Sequence, residues 1–550
     1  MLNAMNDPWK QAFLLECTVA EIMQRQAHRG VHVNKVKAGF YIHVLNERIN
    51  ALDQIAVPQM PKMLAKGCTA QEPYLKSGHY KANVQKWFNE EGAEFTPEGG
   101  FCGISWVPFD MGKTEAIKEF MAGSLGWEPD TWKFKDITMH SSIKRPLNQV
   151  ELDAALENYM FDLKNTNLGK RRMQLLGIKP GTMTKRQVKE LLLKKKKVPA
   201  GAKLTESSLD GMKGGGGLGM ALKARLTLAH RRSLLKGILE LVRDDGRIEA
   251  SAITIGTPTM RMRHKGVVNI PKAASYVLFG KHCRSVFESS SLPETDGAYF
   301  HRGLVFQHGT PLPNKNVDKK GNVCRAYVPA GRRLLIGYDG AGLELRMLAH
   351  YVNDAEYTKQ ILEGDIHSYN QMLAGLPNRD AAKTFIYAFL YGAGDQKIGD
   401  IIEGSREDGA AIKARFFESL PMLKELIDRV KADAEKGYVV GLDGRKLWLR
   451  KDSRGRPMTH KALNLLLQGA GAVVMKYAMV LLEEAIEAEG LDAWKVIDMH
   501  DEGQYDVHPK DYKRVQELMD ICVMKAGELL GMNLPLASDS VVGHNWAETH

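Results

Sequence analysis

The chain has 550 residues, of which 44% are hydrophobic and 26% are charged, an ordinary balance for a globular protein with several subdomains. Its formal net charge of +11 is compatible with a polyanionic partner such as a nucleic acid but does not identify one. No uninterrupted apolar run reaches about 18 residues, and the first residues lack a secretory profile, so we expect a cytosolic protein without a membrane segment.

The cysteines stand far apart in the sequence, and no two of them form a Cys-x-x-Cys pair. A structural zinc site or a disulfide framework is therefore disfavoured, and we expect reduced thiols. The six positions are Cys17, Cys68, Cys102, Cys283, Cys324 and Cys522.

The first half of the chain alternates between helical and irregular segments. Residues 8–57 are predicted to be helical, because apolar side chains such as Phe13, Val19 and Ile22 recur at spacings of three and four. Residues 58–105 contain prolines and glycines without a clear period, which predicts an insertion or an extended loop.

Basic residues are dense from about residue 112 to 245, where helical patterns return. One run includes Lys185, Lys189 and Lys194–Lys197, and a second basic helix carries Arg225 and Arg232. Such a run is often a solvated face, but two successive basic helices favour contact with a phosphate backbone. A second irregular stretch, 288–324, is predicted to be an insertion on the surface of the protein.

Two later segments place carboxylates at the ends of strands. An apolar run predicts a buried strand ending at Asp339, and a helix is expected to begin at Leu343. Val496–Val507 predicts a β-hairpin whose turn carries Asp501 and Glu502. Adjacent carboxylates suit hard divalent ions, and two such ions about 3.5–4 Å apart support phosphoryl transfer. The alternative is an ordinary turn residue and a solvated hairpin tip.

A third segment, 377–392, favours the functional interpretation of the other two. Asn378 is a candidate N-cap, and after it cationic and aromatic side chains recur every four residues, which places them on one stripe of a helix. Cations near the positive end of the helix followed by flat rings suit a triphosphate and a base. The stripe consists of Arg379, Lys383, Tyr387 and Tyr391.

Together, segments 339–346, 379–392 and 500–502 resemble motifs A, B and C of the family A DNA polymerases, in the order of that family. The flanking segments 364–367, 441–446 and 545–547 are similar to those of podovirus-type bacteriophage replicases. The likeness is close from about 330 to 550 and looser from 8 to 285.

The resemblance implies an α+β right-hand fold, in which a palm sheet is joined by helical fingers and a helical thumb. The expected parts are an N-terminal helical part of the polymerase domain (1–57), an insertion or extended loop (58–105), a thumb (106–250), a first palm part (251–350, with the surface insertion 288–324), fingers (351–440) and a second palm part (441–550).

The same resemblance implies a role for each motif residue. Asp339 and Asp501 would bind two Mg²⁺ ions, for which Mn²⁺ could substitute, with Glu502 assisting nearby. The incoming dNTP would contact Arg379, Lys383 and His367 through its triphosphate, Tyr387 beside its sugar and Glu344 as the gate against a 2′-hydroxyl; Lys383 would also take part in catalysis. Primer–template DNA would contact Tyr391, Asn464, Gln468, His500 and either Arg261 or Arg263, of which Arg261 is favoured.

The expected partners are primer–template DNA and dNTPs, together with replisome proteins or a processivity factor and a separate exonuclease subunit. Residues 1–150 contain no Asp-x-Glu pair of the kind that opens the family's proofreading domain, so we expect no intrinsic exonuclease. A single-subunit RNA polymerase is one alternative, which Glu344 disfavours. A non-catalytic DNA-binding scaffold is another, which the complete motifs disfavour.

Overall fold

The computed structural model of the protein describes residues 8–70, 74–82, 84–86, 93–95, 101–140, 145–178, 181–205, 208–209, 216–292, 299–301, 304–306, 311–312, 326–327, 332–452 and 454–549. Much of the predicted surface insertion 288–324 therefore lies outside the described residues. Free thiols are found at Cys17, Cys283 and Cys522 within the part whose side chains are described.

The helices and strands are numbered here in chain order. The helices are α1 (Pro8–Arg29), α2 (Lys35–Ala56), α3 (Thr114–Ser124), α4 (Gln149–Asn165), α5 (Gly169–Leu176), α6 (Lys185–Lys195), α7 (Gly216–Leu241), α8 (Gly280–Arg284), α9 (Leu343–Val352), α10 (Ala355–Leu362), α11 (Ile366–Ala374), α12 (Arg379–Leu390), α13 (Asp395–Gly399), α14 (Arg406–Ser419), α15 (Pro421–Ala434), α16 (Ala462–Ala488) and α17 (Tyr512–Leu529). The strands are β1 (Val31–Val33), β2 (Met63–Ala70), β3 (Ala93–Phe95), β4 (Phe101–Val107), β5 (Trp132–Asp136), β6 (Lys197–Ala202), β7 (Arg247–Ile248), β8 (Ser251–Ile253), β9 (Arg263–Lys265), β10 (Phe287–Glu288), β11 (Tyr299–His301), β12 (Leu304–Phe306), β13 (Pro311–Leu312), β14 (Ala326–Tyr327), β15 (Leu334–Gly340), β16 (Tyr438–Val440), β17 (Lys446–Trp448), β18 (Ala493–Met499), β19 (Glu502–Val507) and β20 (Ser538–Gly543).

The chain divides into two compact units. The first comprises Met1–Phe40 and Leu234–His550, and the second comprises Tyr41–Ser233. The boundaries between them fall inside α2 and α7. The predicted limits of the thumb, fingers and palm stay predictions.

A four-stranded antiparallel sheet with the order β18-β19-β15-β20 lies in the first unit. The central strand β15 is buried from Leu334 to Tyr338, because its apolar run is covered on both faces, and Asp339 near its end is exposed. Its register with β19 runs from Leu334 opposite Val507 to Asp339 opposite Glu502. Both the predicted strand ending near Asp339 and the predicted hairpin are confirmed, as is the α+β class.

The core of the first unit surrounds α16, which is mostly buried, and α1 packs against it. Thr459–Ala488 is long and apolar enough to cross a membrane, but 89% of its apolar window is buried inside the protein, as in the core helix of a globular unit. On α1 the predicted apolar positions Val19 and Ile22 are buried, whereas Phe13 is 70% exposed and lies outside the core.

A buried ionic cluster joins α1 to α16. Lys476 Nζ donates to both carboxylate oxygens of Glu16 at 2.8 Å, and an Arg445 guanidinium nitrogen donates to the same carboxylate at 2.6 Å. Arg445 also donates to Asp443 at 2.7 Å. Each buried charge therefore has an opposite partner, which is the condition under which such charges are tolerated.

In the second unit, part of the predicted irregular segment 58–105 forms a three-stranded antiparallel sheet with the order β2-β4-β3. The register of β2 with β4 shifts between Lys66 and Thr69, which removes the regular alternation that sequence analysis relies on. The paired strands β5 and β6 were likewise not predicted.

Several cations on the basic helices of the second unit form ion pairs with acids of the same unit. Lys185 and Lys189 on α6 each lie 2.7 Å from Glu157 on α4. On α7, Arg225 pairs with Asp53 at 2.9 Å. The predicted contact of these helices with a phosphate backbone stays a prediction, and such a contact would have to compete with these internal pairs.

Candidate active site

The sheet brings the predicted acidic residues to one edge. Asp339 on β15 lies opposite Glu502 on β19 and opposite Asp539 on β20. Asp501 immediately precedes Glu502 in the turn of the hairpin. Because neighbouring strands are about 4.8 Å apart, this register places Asp339 beside the turn that carries Asp501.

The turn itself is held by a buried polar chain. His500 adopts a left-handed backbone conformation with φ of 63°, which is unusual for a residue with a side chain. Its ring lies 5.5 Å from the ring of His264, which contacts Asp498 at 3.1 Å, and Asp498 in turn pairs with Lys495 at 3.0 Å. Burial, followed by the charges of His264 and Arg261, lowers the pKa of His500.

Glu502 is buried, and its carboxylate is engaged within the protein. One oxygen accepts hydrogen bonds from the Trp546 indole and from the Gln504 amide, the latter at 2.8 Å. Arg284 lies 3.7 Å from the other oxygen and 4.4 Å from the centre of the Trp546 ring. These partners were missed as supports of the site, although the closing segment 545–547 was part of the family likeness.

Helix α12 presents the predicted stripe. Asn378 caps it by accepting a hydrogen bond from the Ala381 amide at 2.8 Å, as predicted. The apolar face of the helix is buried, while Arg379 and Lys383 are exposed and Tyr387 is half-buried. Tyr391 follows directly after the last helical residue.

Asp365 links the N-terminus of α11 to Arg379. It caps α11 by accepting hydrogen bonds from the His367 and Ser368 amides, and it pairs with Arg379 at 2.6 and 3.2 Å. The hydrogen bond from Arg379 holds the pKa of the Asp365 carboxyl well below its usual range. A lone acid before a helix predicts only a cap, so sequence reasoning missed its pairing with Arg379.

His367 lies on α11 beside Tyr387 of α12, with ring centres 6.2 Å apart. Burial lowers the pKa of His367, and the nearby charges of Arg379 and Lys383 lower it further. The side chains predicted to hold the triphosphate are therefore close enough to influence one another.

Glu344, in the first turn of α9, joins two other predicted site residues. One carboxylate oxygen accepts a hydrogen bond from Arg261 at 3.0 Å and another from the Tyr391 hydroxyl at 2.8 Å. Arg263, the alternative to Arg261, is exposed at the start of β9. The geometry therefore groups Arg261, and not Arg263, with Glu344 and Tyr391.

Asn464 and Gln468 lie one turn apart on α16 and line a groove together with Thr257 and Thr259. The side-chain oxygen of Asn464 is buried and accepts no hydrogen bond within the described residues. This groove therefore holds polar groups that a bound molecule can satisfy.

The acidic edge supplies few metal ligands from the protein. No group of three or more His, Cys, Asp or Glu side chains close enough to hold a metal ion is found among the described residues. Mg²⁺ is commonly bound by one or two carboxylates, with substrate phosphates and water completing its shell. Asp339 and Asp501 fit an ion of this kind, held jointly with a phosphorylated substrate.

Comparisons with known proteins bear directly on this site. The family model described as DNA polymerase family A matches residues 307–548, a range that contains all three motifs. The DNA-directed DNA polymerase of Escherichia phage Phieco32 is 38% identical over 620 aligned positions, which cover 99% of this chain and 100% of that protein. The chain belongs to DNA polymerase family A.

Other relatives resemble parts of this polymerase. The DNA-directed DNA polymerases of Enterobacteria phage T3 and Escherichia phage T7 are 34% and 33% identical to it, over 57% of this chain and 43% of each relative. The solved POL domain of Pol1 from M. smegmatis, in complex with DNA primer-template and dNTP, superposes with a TM-score of 0.57 at 15% identity. That superposition covers 97% of this chain and 70% of the other, and it shows a shared fold.

Proposed function

We propose that this DNA-directed DNA polymerase extends a primer 3′ end by two-metal-ion phosphoryl transfer, using the residues grouped around β15, the β18–β19 turn and α12. The observation that supports this most is the contact at the C-terminal end of α12. The Tyr391 hydroxyl, directly after the last helical residue, donates to the Glu344 carboxylate at 2.8 Å, so the end of α12 meets the segment that follows Asp339.

Asp339 and Asp501 would hold two divalent ions, Mg²⁺ or Mn²⁺, because both present carboxylate oxygens at the same edge of the sheet. The ions would activate the primer hydroxyl and stabilise the charge on the leaving pyrophosphate. Glu502 would assist from its position beside Asp501, because Trp546 and Gln504 already donate hydrogen bonds to its carboxylate.

The residues of α11 and α12 would bind the dNTP. Arg379 and Lys383 offer positive charge to the phosphates, and His367 offers a ring nitrogen beside them. Tyr387 would lie along the sugar, and Glu344 would occupy the space that a ribose 2′-hydroxyl needs. Tyr391, Arg261, Asn464, Gln468 and His500 would contact the primer–template.

The proposal is tested by removing each metal-binding carboxylate in turn. Asp339→Ala and Asp501→Ala should each slow nucleotide addition about a thousandfold or more, because several kcal/mol of transition-state stabilisation is lost. Binding of primer–template, measured by fluorescence anisotropy, should persist. Asp539→Ala is a matched control, since it removes an acid that also lies opposite Asp339.

Two results would contradict the proposed assignment, each in a different way. Near wild-type extension by the Asp339 or the Asp501 variant would show that the metal assignment is wrong. Equal loss in Asp539→Ala would show that acidity at the sheet edge matters more than the two motif positions.

We further propose that the polymerase acts in phage DNA replication in the host cytoplasm, without proofreading of its own. A processivity factor and a separate exonuclease subunit are the partners that this role would call for. Co-purification from infected cells, with the polymerase as bait, would test both.

A further inference from the structure

The β16–β17 hairpin exposes an aromatic and cationic face that none of the proposed roles uses. Strand β17 alternates, so that Leu447 is buried in the core while Lys446 and Trp448 face outward. Arg450 continues the outward face two residues later. Trp448 is 59% exposed, and it stands among exposed cations rather than alone.

The indole is held in place by its neighbours on β16. Trp448 lies opposite Tyr438, with ring centres 5.3 Å apart. The ammonium group of Lys446 lies 4.7 Å from the centre of the Tyr438 ring. The hairpin therefore presents an indole that packs on the Tyr438 ring, and the same tyrosine ring carries a cation; an indole packed in this way needs little further ordering when a ligand stacks on it.

The surroundings of Trp448 are strongly basic. Within 441–461 the acids are Asp443 and Asp452, and these pair with Arg445 and Arg456 respectively. Further cations are exposed around the hairpin and carry the excess charge. They are Lys446, Arg450, Lys451, Arg454 and Lys461.

The exposed face of the hairpin borders the groove that we have assigned to DNA. Trp448 and Arg450 line the same groove as Asn464 and Gln468, which we have assigned to the primer–template. Between the hairpin and α16, the His460 carbonyl lies 3.6 Å from the position that a Cβ on Gly392 would take. Gly392 follows Tyr391, the residue assigned to the templating base, so the segment that continues from the hairpin passes beside a residue assigned to the template.

We propose that Trp448, with Lys446 and Arg450, is a stacking platform for unpaired bases of the template strand. An indole stacks on a base only when the face of that base is open, and bases inside a duplex are closed on both faces. A recessed primer leaves one obligatory unpaired stretch, the 5′ overhang of the template. The inference rests on the proposed template-side role of Tyr391.

The test compares overhang lengths on a single duplex. The wild-type protein should bind a duplex with a template overhang of about ten nucleotides more tightly than the same duplex with one unpaired template nucleotide. Trp448→Ala should lose about tenfold in affinity for the long overhang and nothing for the short one, because one stacking contact is removed. Trp448→Phe keeps a flat ring and should retain most of the gain.

Two controls separate stacking from other effects. Trp9→Ala removes a different indole that is 63% exposed, and it should behave as wild type on both substrates. Arg450→Gln should flatten the salt dependence of binding, because one phosphate contact is lost. Asp339→Ala should lose primer extension and keep the gain in binding from the long overhang, so failure of the platform is distinguishable from failure of the polymerase site.

Three results would overturn the proposal. The first is an equal loss on long and short overhangs, which would indicate a duplex contact. The second is unchanged binding of both substrates by Trp448→Ala. The third is a Trp448-dependent gain for a duplex with an unpaired primer 3′ end and no template overhang, which would assign the face to the primer strand.

Discussion

Replacing Tyr391 by Phe removes one hydroxyl group, and we expect this change to weaken discrimination against ribonucleotides without emptying the space that Glu344 fills. The hydroxyl donates to the Glu344 carboxylate at 2.8 Å, and Arg261 donates to the same oxygen at 3.0 Å. A carboxylate fixed by two donors cannot turn away from a 2′-hydroxyl. Loss of one donor lets it move.

The structure sets the size of this effect. A hydrogen bond to a charged group contributes about 1.5–3 kcal/mol, and the lower value applies because Tyr391 is 48% exposed. About 1.5 kcal/mol corresponds to roughly a tenfold loss of discrimination. Glu344→Ala removes the volume as well and should lose about a hundredfold. Glu344→Gln keeps the volume and an acceptor oxygen, so it should stay close to wild type.

The measurement is the ratio of kcat/KM for a deoxynucleotide to kcat/KM for the matching ribonucleotide, on one primer–template. Extension with the correct deoxynucleotide is the control, because Phe keeps the ring assigned to the templating base. An unchanged ratio in Tyr391→Phe, together with a large fall in Glu344→Ala, would mean that volume alone discriminates. An unchanged ratio in both would place discrimination elsewhere.

Three further predictions follow from other contacts. Asp365→Asn keeps a capping residue on α11 but removes the carboxylate that forms an ion pair with Arg379. Because the Arg379 guanidinium is then available to the phosphates, the KM for dNTP should fall about twofold to fivefold. A rise in this KM would contradict the reasoning. Glu16→Ala leaves Lys476 and Arg445 buried without the carboxylate that they share, so the free energy of unfolding measured in urea should fall by about 3 kcal/mol or more. Glu21→Ala, which removes an exposed carboxylate from the same helix, should leave this free energy nearly unchanged. Purified protein with Mg²⁺ and no nucleotides should not trim a mismatched primer 3′ end on time-resolved gels; shortening that survives Asp339→Ala would reveal a nuclease site.

The catalytic segments were predictable because their local signals agree with one another. The apolar run before Asp339 is long enough to specify a buried strand by itself. Around α12, the Asn378 cap and the four-residue period indicate the same helix. Such signals need no knowledge of distant residues.

Other elements depend on partners far away in the sequence. Strand β20 is short and polar at its start, and it becomes a strand by pairing with β15. The pairing of Glu16 with Lys476 joins residues 460 positions apart. Local propensity contains no information about such pairs, because tertiary packing selects them. The sheet β2-β4-β3 was missed for the related reason that its register shift hides the strand period.

The contacts around the site divide its side chains into two kinds. Glu502 is held by donors that a nucleotide does not have to displace, so its position is fixed before substrate arrives. Arg379 differs, because the Asp365 carboxylate occupies the donors that phosphate oxygens would use. Binding at Arg379 is therefore an exchange of one anion for another, and its net gain is small unless the entering group carries more charge than a carboxylate. A triphosphate meets that condition, whereas a single carboxylate does not, so the pair favours highly charged ligands over weakly charged ones.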